Sequence, residues 1–370
     1  MIMSKKITNI LCTVCFSAFL LGFGAACVFG APVEILVSER RKAAQFPELS
    51  AQSVADKSFF DGLEKYFADK FPERDGFRAI KAAVELGVFC KKDSSGVYFA
   101  DGHISELDKK LSESSVEKAA EKLNSVYSRY LENADCRVYY SVIPDKNYYL
   151  AAENGYPSAD YERLVSVFTS NVKNMEYIDI FDCLNADSYY KTDTHWRQEA
   201  LGEVVDTLAE KMNFNADGIS GYSARELSDF KGIYASRFPL ASMSDRLVCL
   251  SSPVTDCAAV YNLETDKKSI GVYDEEKLKG YDKYDVFLSG ASALITVENP
   301  LTSNGRELVI FRDSFGSSLA PLLLGGYQKI TLVDLRYISS QLIGDYVDFN
   351  GADVLFIYNT QILNQSAVLK

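Results

Sequence analysis

Histidine, tryptophan and paired cysteine are scarce in this chain of 370 residues. It has two histidines, His103 and His195, and a single tryptophan, Trp196. No C-x-x-C pair occurs outside the N-terminal hydrophobic segment, so a cysteine zinc site is unsupported. His195 with one nearby aspartate does not supply a metal site either. We therefore expect no metal and no cofactor, and we take His103 as a surface residue.

The cysteines do not form the pattern of a disulfide framework. Three of the eight lie in the N-terminal hydrophobic segment, and the remaining five are widely scattered. Cys249 and Cys257 flank the turn-like stretch LSSPVTD, where a disulfide would bridge a hairpin. Free buried thiols are an equally good interpretation of this pair.

Positive charge is also in deficit, with 39 Lys and Arg against 51 Asp and Glu and a net charge of -12. This balance argues against nucleic acid as a partner, because a phosphate backbone is held by clustered Lys and Arg. The chain is 47% hydrophobic and 24% charged, and no repeat or low-complexity tract interrupts it. Its length suits one large α/β domain or two smaller ones.

Charge is absent altogether between Lys6 and Glu34. The apolar run over residues 10–31 is long enough to cross a bilayer as a helix, with Lys5 and Lys6 on the cytoplasmic side. A cleaved signal peptide, whose apolar core is shorter, is the alternative. Residues 1–31 are therefore predicted to be a membrane anchor, and in either case the rest of the chain is exported to the extracytoplasmic side.

After a predicted stalk over residues 32–57, strand and helix patterns alternate through one domain over residues 58–370. Strands are predicted at 136–144 and 176–182 around a helix at 160–174. The alternation resumes in ELVIFRD, SSLAPLLLG, KITLVDLR, a helix near 338–347, and DVLFIYN. This rhythm predicts an α/β fold with a doubly wound, mostly parallel, flavodoxin-like sheet that binds ligands at the carboxyl ends of its strands. Short β-prone runs over about 213–299 predict a β-rich insertion.

Two short segments carry candidate chemistry. In the first, Asp193 precedes His195 by two residues at the opening of a helical pattern, which suits an aspartate-oriented general base. A helix cap beside a surface histidine is the competing interpretation. In the second, Ser314 follows an apolar run and precedes a helical pattern, where a strand-to-helix turn projects a serine hydroxyl beside backbone N–H groups. An ordinary N-cap is again the alternative.

The order TDTHW, a long insertion and RDSFGSSLAPLL resembles the DHHW family of exported bacterial proteins. It is also similar to the SGNH-hydrolase-like domains of the alginate O-acetyltransferases. The likeness extends over nearly the whole chain after the anchor and includes SERRKAAQFPE, DFKGIYASR and VFLSG. Ordinary SGNH hydrolases have the nucleophile first, so the resemblance implies a permuted SGNH fold. Where the family often has Gly-Asn, this chain has Gly290-Ala291, which leaves backbone N–H groups of Ser314 and Gly316 as oxyanion donors.

The resemblance implies a nucleophile at Ser314, a general base at His195 and an orienting carboxylate at Asp193. The reaction would transfer an acetyl group to or from a hydroxyl of a cell-wall or exported polysaccharide through an acyl-serine. A polytopic membrane-bound O-acyltransferase would be the partner that supplies acetyl groups. The competing hypothesis is a catalytically inactive surface protein that binds glycan or such an acyltransferase.

Three further residues are candidate substrate contacts. Lys146 follows a predicted strand in IPDK, and Arg336 ends another in VDLRY. An arginine there can bind a sugar carboxylate or phosphate by two hydrogen bonds, although a structural pair with Asp334 or Asp313 is an equal alternative. Trp196, beside His195, is the third candidate. A solvated loop lysine is the alternative for Lys146.

Overall fold

The structure is a computed structural model that describes residues 5–31, 33–36, 39–107, 110–215, 219–238 and 243–370. These residues fall into two compact units. The smaller unit contains the described residues of 1–95 and 236–242, and the larger contains those of 96–235 and 243–370. The domain boundaries given above at residues 31 and 57 stay a prediction.

The smaller unit is mainly helical and begins with one long apolar helix. This helix has 25 residues, so at about 1.5 Å per residue it is long enough to cross a bilayer, as predicted. The unit contains α1 (Lys5–Phe29), β1 (Ile35–Leu36), β2 (Arg41–Lys42), α2 (Ala51–Ala55), α3 (Ser58–Asp69) and α4 (Arg74–Ala83), and a π-helical turn (Val84–Val88) continues α4.

The larger unit alternates strands and helices. Its strands are β3 (Val97–Ala100), β4 (His103–Glu106), β5 (Arg137–Ile143), β6 (Glu176–Tyr177), β7 (Ser223–Phe230), β8 (Asp245–Ser251), β9 (Ala259–Asn262), β10 (Lys267–Ile270), β11 (Leu294–Glu298), β12 (Glu307–Arg312), β13 (Lys329–Val333) and β14 (Ala352–Asn359). Its helices are α5 (Glu113–Val126), α6 (Asn147–Leu150), α7 (Tyr161–Asn171), α8 (Gly202–Met212), α9 (Pro253–Cys257), α10 (Gly316–Leu323) and α11 (Thr360–Leu363).

One eight-stranded sheet organises this unit, in the order β10-β9-β11-β13-β12-β14-β5-β6. The strands from β13 to β6 pair in parallel, whereas β11, β9 and β10 add an antiparallel edge. The α/β fold with a mostly parallel sheet is therefore confirmed. The predicted β-rich insertion contributes this antiparallel edge and the separate hairpin of β7 and β8.

The central strands are apolar on both faces because helices cover both sides of the sheet. Leu308 and Ile310 of β12 pack into one core with α8 and α10. Val309 and Phe311, which alternate with them, pack into a second core with α5 and α7. Such a continuous apolar run is typical of a buried parallel strand.

The register aligns the carboxyl ends of the central strands at one edge. Arg312 at the end of β12 pairs with Ile357 of β14, and Asn359 at the end of β14 pairs with Ile143 of β5. The segments that follow β12, β14 and β5 therefore leave the sheet side by side.

Some local predictions are wrong. The helix expected near 338–347 is a single 3-10 turn, Ile343–Asp345, since the segment ISSQLIGDYV holds Gly, Ser and β-branched residues with low helix propensity. The strand expected over 176–182 pairs only at Glu176–Tyr177 before a 3-10 turn. Cys249 and Cys257 are free thiols, which is the second of the two interpretations.

Candidate active site

Ser314, His195 and Asp193 come together at the carboxyl edge of the sheet, within the larger unit. Ser314 Oγ lies 2.8 Å from His195 Nε2, and His195 Nδ1 lies 2.7 Å from Asp193 Oδ1. Asp193 is fully buried, whereas His195 is 8% exposed. The three side chains thus form a continuous hydrogen-bonded row from the buried carboxylate to the serine hydroxyl.

Ser314 lies in the short turn between β12 and α10. Asp313 fixes this turn, because its two carboxylate oxygens accept hydrogen bonds from the backbone N–H of Phe315 (3.0 Å) and of Asn359 (2.7 Å). Burial raises the pKa of Asp313. Gly316 is required by close approach, since a Cβ there would lie 2.6 Å from Arg312 Cβ. The serine is therefore held by backbone geometry at the end of a central strand.

His195 and Asp193 lie in a loop that precedes α8 and has little secondary structure of its own. Two buried charged side chains hold it. The ammonium group of Lys146 donates to the carbonyl oxygens of Tyr190 and Asp193, each at 2.9 Å, and to Ile104 O of β4 at 2.6 Å. Burial lowers the pKa of Lys146, and the carboxylates of Asp193, Asp245 and Asp145 oppose that shift.

Asp245, the first residue of β8, binds the opposite groups of the same loop. Its carboxylate accepts from Lys191 N–H at 2.7 Å and from Thr192 N–H at 2.9 Å. The Thr192 hydroxyl donates to it as well, at 2.5 Å. Lys146 thus donates to carbonyl groups of the loop, and Asp245 accepts from its N–H groups. These buried backbone groups are therefore paired by side chains, as buried backbone polar groups must be.

The segment Gly232 to Tyr234 also supports the loop. Ile233 N–H donates to Asp193 Oδ2 at 3.0 Å, which leaves Oδ1 for the histidine ring. Gly232 N–H donates to the Thr192 hydroxyl, and Tyr234 N–H donates to Thr192 O. A Cβ on Gly232 would overlap Thr192 O and Asp193 Cβ, so only glycine fits there.

Aromatic rings fix the plane of the His195 imidazole. Tyr284 stacks on it with ring centroids 3.9 Å apart and planes 14° apart, and Phe315 lies against it at 4.9 Å. The Tyr284 hydroxyl is in turn 2.8 Å from Ser318 Oγ. The imidazole of His195 is therefore held by ring packing as well as by Asp193.

Two backbone N–H groups were expected to form an oxyanion hole, and one of them already donates a hydrogen bond within the protein. Gly316 N–H already donates to Asp313 O at 3.2 Å, so the N–H of Ser314 is the donor that the turn offers. Ser292 does not supply a side-chain donor toward the serine, because its hydroxyl binds Asn262 Oδ1 at 3.1 Å. The neighbouring residues Leu288, Ser289 and Gly290 have φ of 53°, 60° and 85°, a run of left-handed conformations.

Two of the predicted substrate contacts are instead internal residues. Trp196 is fully buried and donates its indole N–H to Phe315 O (3.1 Å) and Ser318 Oγ (2.9 Å). Lys146 is 2% exposed and supports the loop as described. Both side chains are buried, and each donates hydrogen bonds to buried polar groups instead of facing solvent. These two assignments are therefore corrected.

Arg336 forms the structural pair with Asp334 that was the alternative to a substrate contact. Its guanidinium binds Asp334 through Nε to Oδ1 (2.9 Å) and a terminal nitrogen to Oδ2 (2.7 Å). Burial acts to lower the pKa of Arg336, but the Asp334 carboxylate outweighs it and the pKa is raised. The side chain keeps 19% exposure at the same edge of the sheet.

His103 is not the surface residue that the sequence suggested. It is 1% exposed in β4, with Nε2 3.4 Å from Asp187 Oδ1. Burial lowers the pKa of its imidazole. Within the described ranges, no group of three His, Cys, Asp or Glu side chains is arranged to hold a metal ion.

The sequence did not single out Asp245, Gly232 or Tyr284. Of these three residues, only Gly232 could have been found from the sequence, because it lies in DFKGIYASR, one of the segments on which the resemblance rests.

Comparisons with known proteins show the family and the fold. A family model described as DHHW protein matches residues 39–108 and 111–333. A DHHW family protein from Eubacterium siraeum has a similar structure, with a TM-score of 0.62 and 20% identity over 75% of this chain and 94% of that chain. No curated protein sequence matches significantly.

Two further solved structures are also similar. PatB1 from Bacillus cereus, solved with a sulfonyl adduct, has a TM-score of 0.55 and 16% identity over 72% of this chain and 94% of that chain. The O-acetyltransferase domain of Pseudomonas putida AlgJ has a TM-score of 0.42 and 12% identity over 73% of this chain and 92% of that chain.

Proposed function

Since the chain belongs to the DHHW family, we propose that it is an extracytoplasmic, serine-dependent enzyme. It transfers an O-acetyl group to, or removes one from, a cell-wall or exported polysaccharide. The observation that carries this proposal is the row from Asp193 through His195 to Ser314, with its two hydrogen bonds of 2.7 and 2.8 Å.

The geometry suits acyl transfer in two half-reactions. Ser314 Oγ attacks the carbonyl carbon of an acetyl donor while His195 Nε2 takes its proton, and Asp193 stabilises the imidazolium that forms. The N–H of Ser314 faces the developing oxyanion, and the imidazolium returns its proton to the leaving alkoxide. In the second half, a sugar hydroxyl or water attacks the acetyl-serine while His195 takes the attacking group's proton. The bond from the acetyl carbon to Ser314 Oγ then breaks, and the imidazolium returns the proton to Oγ as the acetylated sugar or acetate leaves.

The membrane location is part of the proposal. α1 is long and apolar enough to span a bilayer, and we propose that it stays attached and holds the larger unit on the extracytoplasmic face. A membrane-bound O-acyltransferase that delivers acetyl groups is then the proposed partner, and a polysaccharide hydroxyl is the proposed acceptor. Alkaline extraction of membranes tests the anchor: the full-length chain should remain in the membrane pellet.

The activity test uses the full chain in detergent with a chromogenic acetate ester, beside Ser314→Ala and His195→Ala. Both variants should lose turnover, and mass spectrometry should detect an acetylated Ser314 in the wild type. A folded wild type that gives neither turnover nor an acyl-enzyme would favour the inactive surface protein that binds glycan or an acyltransferase. Added oligosaccharide that becomes acetylated would establish transfer over hydrolysis.

A further inference from the structure

In the smaller unit, one helix turns its apolar face outward. Phe77, Ile80, Val84 and Val88, spaced by three or four residues, line one face of α4 and the π-helical turn that continues it. Their exposed fractions are 41%, 61%, 38% and 70%. We refer to these four residues as the outward stripe.

The opposite face of the same helix is charged, yet it points inward. Arg74 and Arg78 both bind Glu39, at 2.6 and 2.8 Å. Ala82, one turn further along this face, is 1% exposed. A surface helix of a water-soluble domain has the reverse arrangement, with the apolar face inward and the charged face in solvent. The outward stripe is therefore an apolar helix face that the described part of the chain leaves largely uncovered.

Ring contacts join this helix to α1. Phe23 of α1 stacks on Phe71 with ring centroids 5.2 Å apart, and Phe77 of the outward stripe meets Phe23 edge-on at 5.8 Å. Phe23 precedes the last residue of α1 by six positions, which is about 9 Å along a helix axis. The start of the outward stripe thus lies beside the apolar stem of α1, at a level below its C-terminal end.

We propose that the outward stripe inserts into the outer leaflet of the bilayer that α1 spans, so that α4 lies in the membrane interface. This inference rests on the part of the proposed function in which α1 crosses the membrane. Burial of an apolar helix face at the boundary of headgroups and acyl chains is favourable, and exposed lysines such as Lys81 can remain at headgroup level. The contact would fix the smaller unit against the membrane surface instead of leaving it on a free stalk.

The test places a tryptophan reporter on the full chain in nanodiscs of brominated lipid, which quenches tryptophan at membrane depth. Val88→Trp reports on the outward stripe, and Phe16→Trp reports on the middle of α1. Leu342→Trp, at a half-exposed position of the larger unit, is the matched control. Trp196 is present in every variant and is buried, so it contributes a constant background.

We expect the added emission of Val88→Trp to fall strongly in brominated lipid, as that of Phe16→Trp does, and that of Leu342→Trp to persist. Quenching of Phe16→Trp without quenching of Val88→Trp would overturn the inference and leave the anchor intact. Loss of quenching at both positions would reject the anchor itself. A shielded, unquenched Val88→Trp in a dimeric sample would instead assign the stripe to a second copy, which also contradicts the proposal.

Discussion

Ser314 Oγ lies 2.8 Å from His195 Nε2, yet the segments that carry the two residues are held by different means. The Ser314 turn follows β12 directly, and its position is set by a central parallel strand and by backbone groups of α10. The His195 loop does not follow a long strand, and the side chains of Lys146 and Asp245 hold it together with backbone groups of β4 and of residues 232–234. A central strand thus leads directly into the Ser314 turn, whereas the His195 loop relies more on buried charged side chains.

The two segments should differ in their response to substitution. We expect the Ser314 turn to tolerate the loss of the Asp313 carboxylate, because β12 and α10 on either side still define its position. A loop fixed by a few buried ionic and hydrogen-bonded groups loses its geometry when one of them is removed, since the remaining partner stays buried and unpaired. Substitutions on the loop side should therefore disturb catalysis and stability more than matched substitutions on the serine side.

The largest expected effect compares two buried aspartates. Asp193→Asn should lower kcat by about 10⁴-fold, because the amide no longer selects the productive imidazole tautomer. Asp313→Asn, whose parent carboxylate binds only backbone N–H groups among its described contacts, should lower kcat far less while reducing stability. Steady-state kinetics on both variants measure this, and equal losses of kcat would remove the distinction between the two sides.

Lys146→Met should be the most destabilising substitution in the loop support. It removes the ammonium donor from the buried carbonyl groups of Ile104, Tyr190 and Asp193, so we expect a loss of about 3–5 kcal/mol in the free energy of unfolding. Lys329→Met, which removes a surface pair with Glu307, is the control and should change stability by less than about 1 kcal/mol. Chemical denaturation of both variants gives the comparison, which fails if their losses are similar.

Gly232→Ala tests the close approach behind the loop. Its methyl group would overlap Thr192 O, and we expect a cost of about 1–3 kcal/mol with displacement of Asp193. Gly87→Ala is the control, because no atom lies within 4 Å of the Cβ that it would introduce. Thermal unfolding and ester turnover should both separate the two variants. An unchanged Gly232→Ala enzyme would show that the loop can move aside without penalty.

The smallest expected effect concerns the ring that stacks on His195. Tyr284→Leu should lower kcat by a factor of about 2 to 10, corresponding to a stacking contribution of about 0.5–1.5 kcal/mol. Tyr284→Phe keeps the ring and should retain nearly wild-type kcat, although its lost hydroxyl contact with Ser318 lowers stability slightly. A larger loss of kcat in Tyr284→Phe than in Tyr284→Leu would show that the hydroxyl, and not the ring, supports His195.

The sequence predicts the Ser314 turn better than it predicts the support of the His195 loop. The strands and the turn around Ser314 are readable because apolar runs and a following helix are local signals, as in LVIF before Asp313. The role of Lys146 is not readable, because its partners are carbonyl groups more than 40 residues away and any residue type can supply those. Asp245 and Tyr284 were missed for the same reason: a strand start and a 3-10 turn carry no catalytic pattern.

In the proposed function, His195 activates Ser314 as a nucleophile, and a sulfonyl fluoride probes that activation without the natural substrate. PatB1 has a structure with a sulfonyl adduct, and the proposed function predicts the same kind of adduct on this chain. The full chain is treated with the reagent and the modified residue is located by peptide mass spectrometry. Ser317→Ala, whose hydroxyl is buried nearby in α10, is the matched control for Ser314→Ala.

We expect one adduct on Ser314 in the wild type and in Ser317→Ala. We expect no adduct in Ser314→Ala and much slower labelling in His195→Ala. A folded wild type that remains unlabelled, or labelling of Ser314 at the same rate without His195, would contradict the activation of Ser314 by His195.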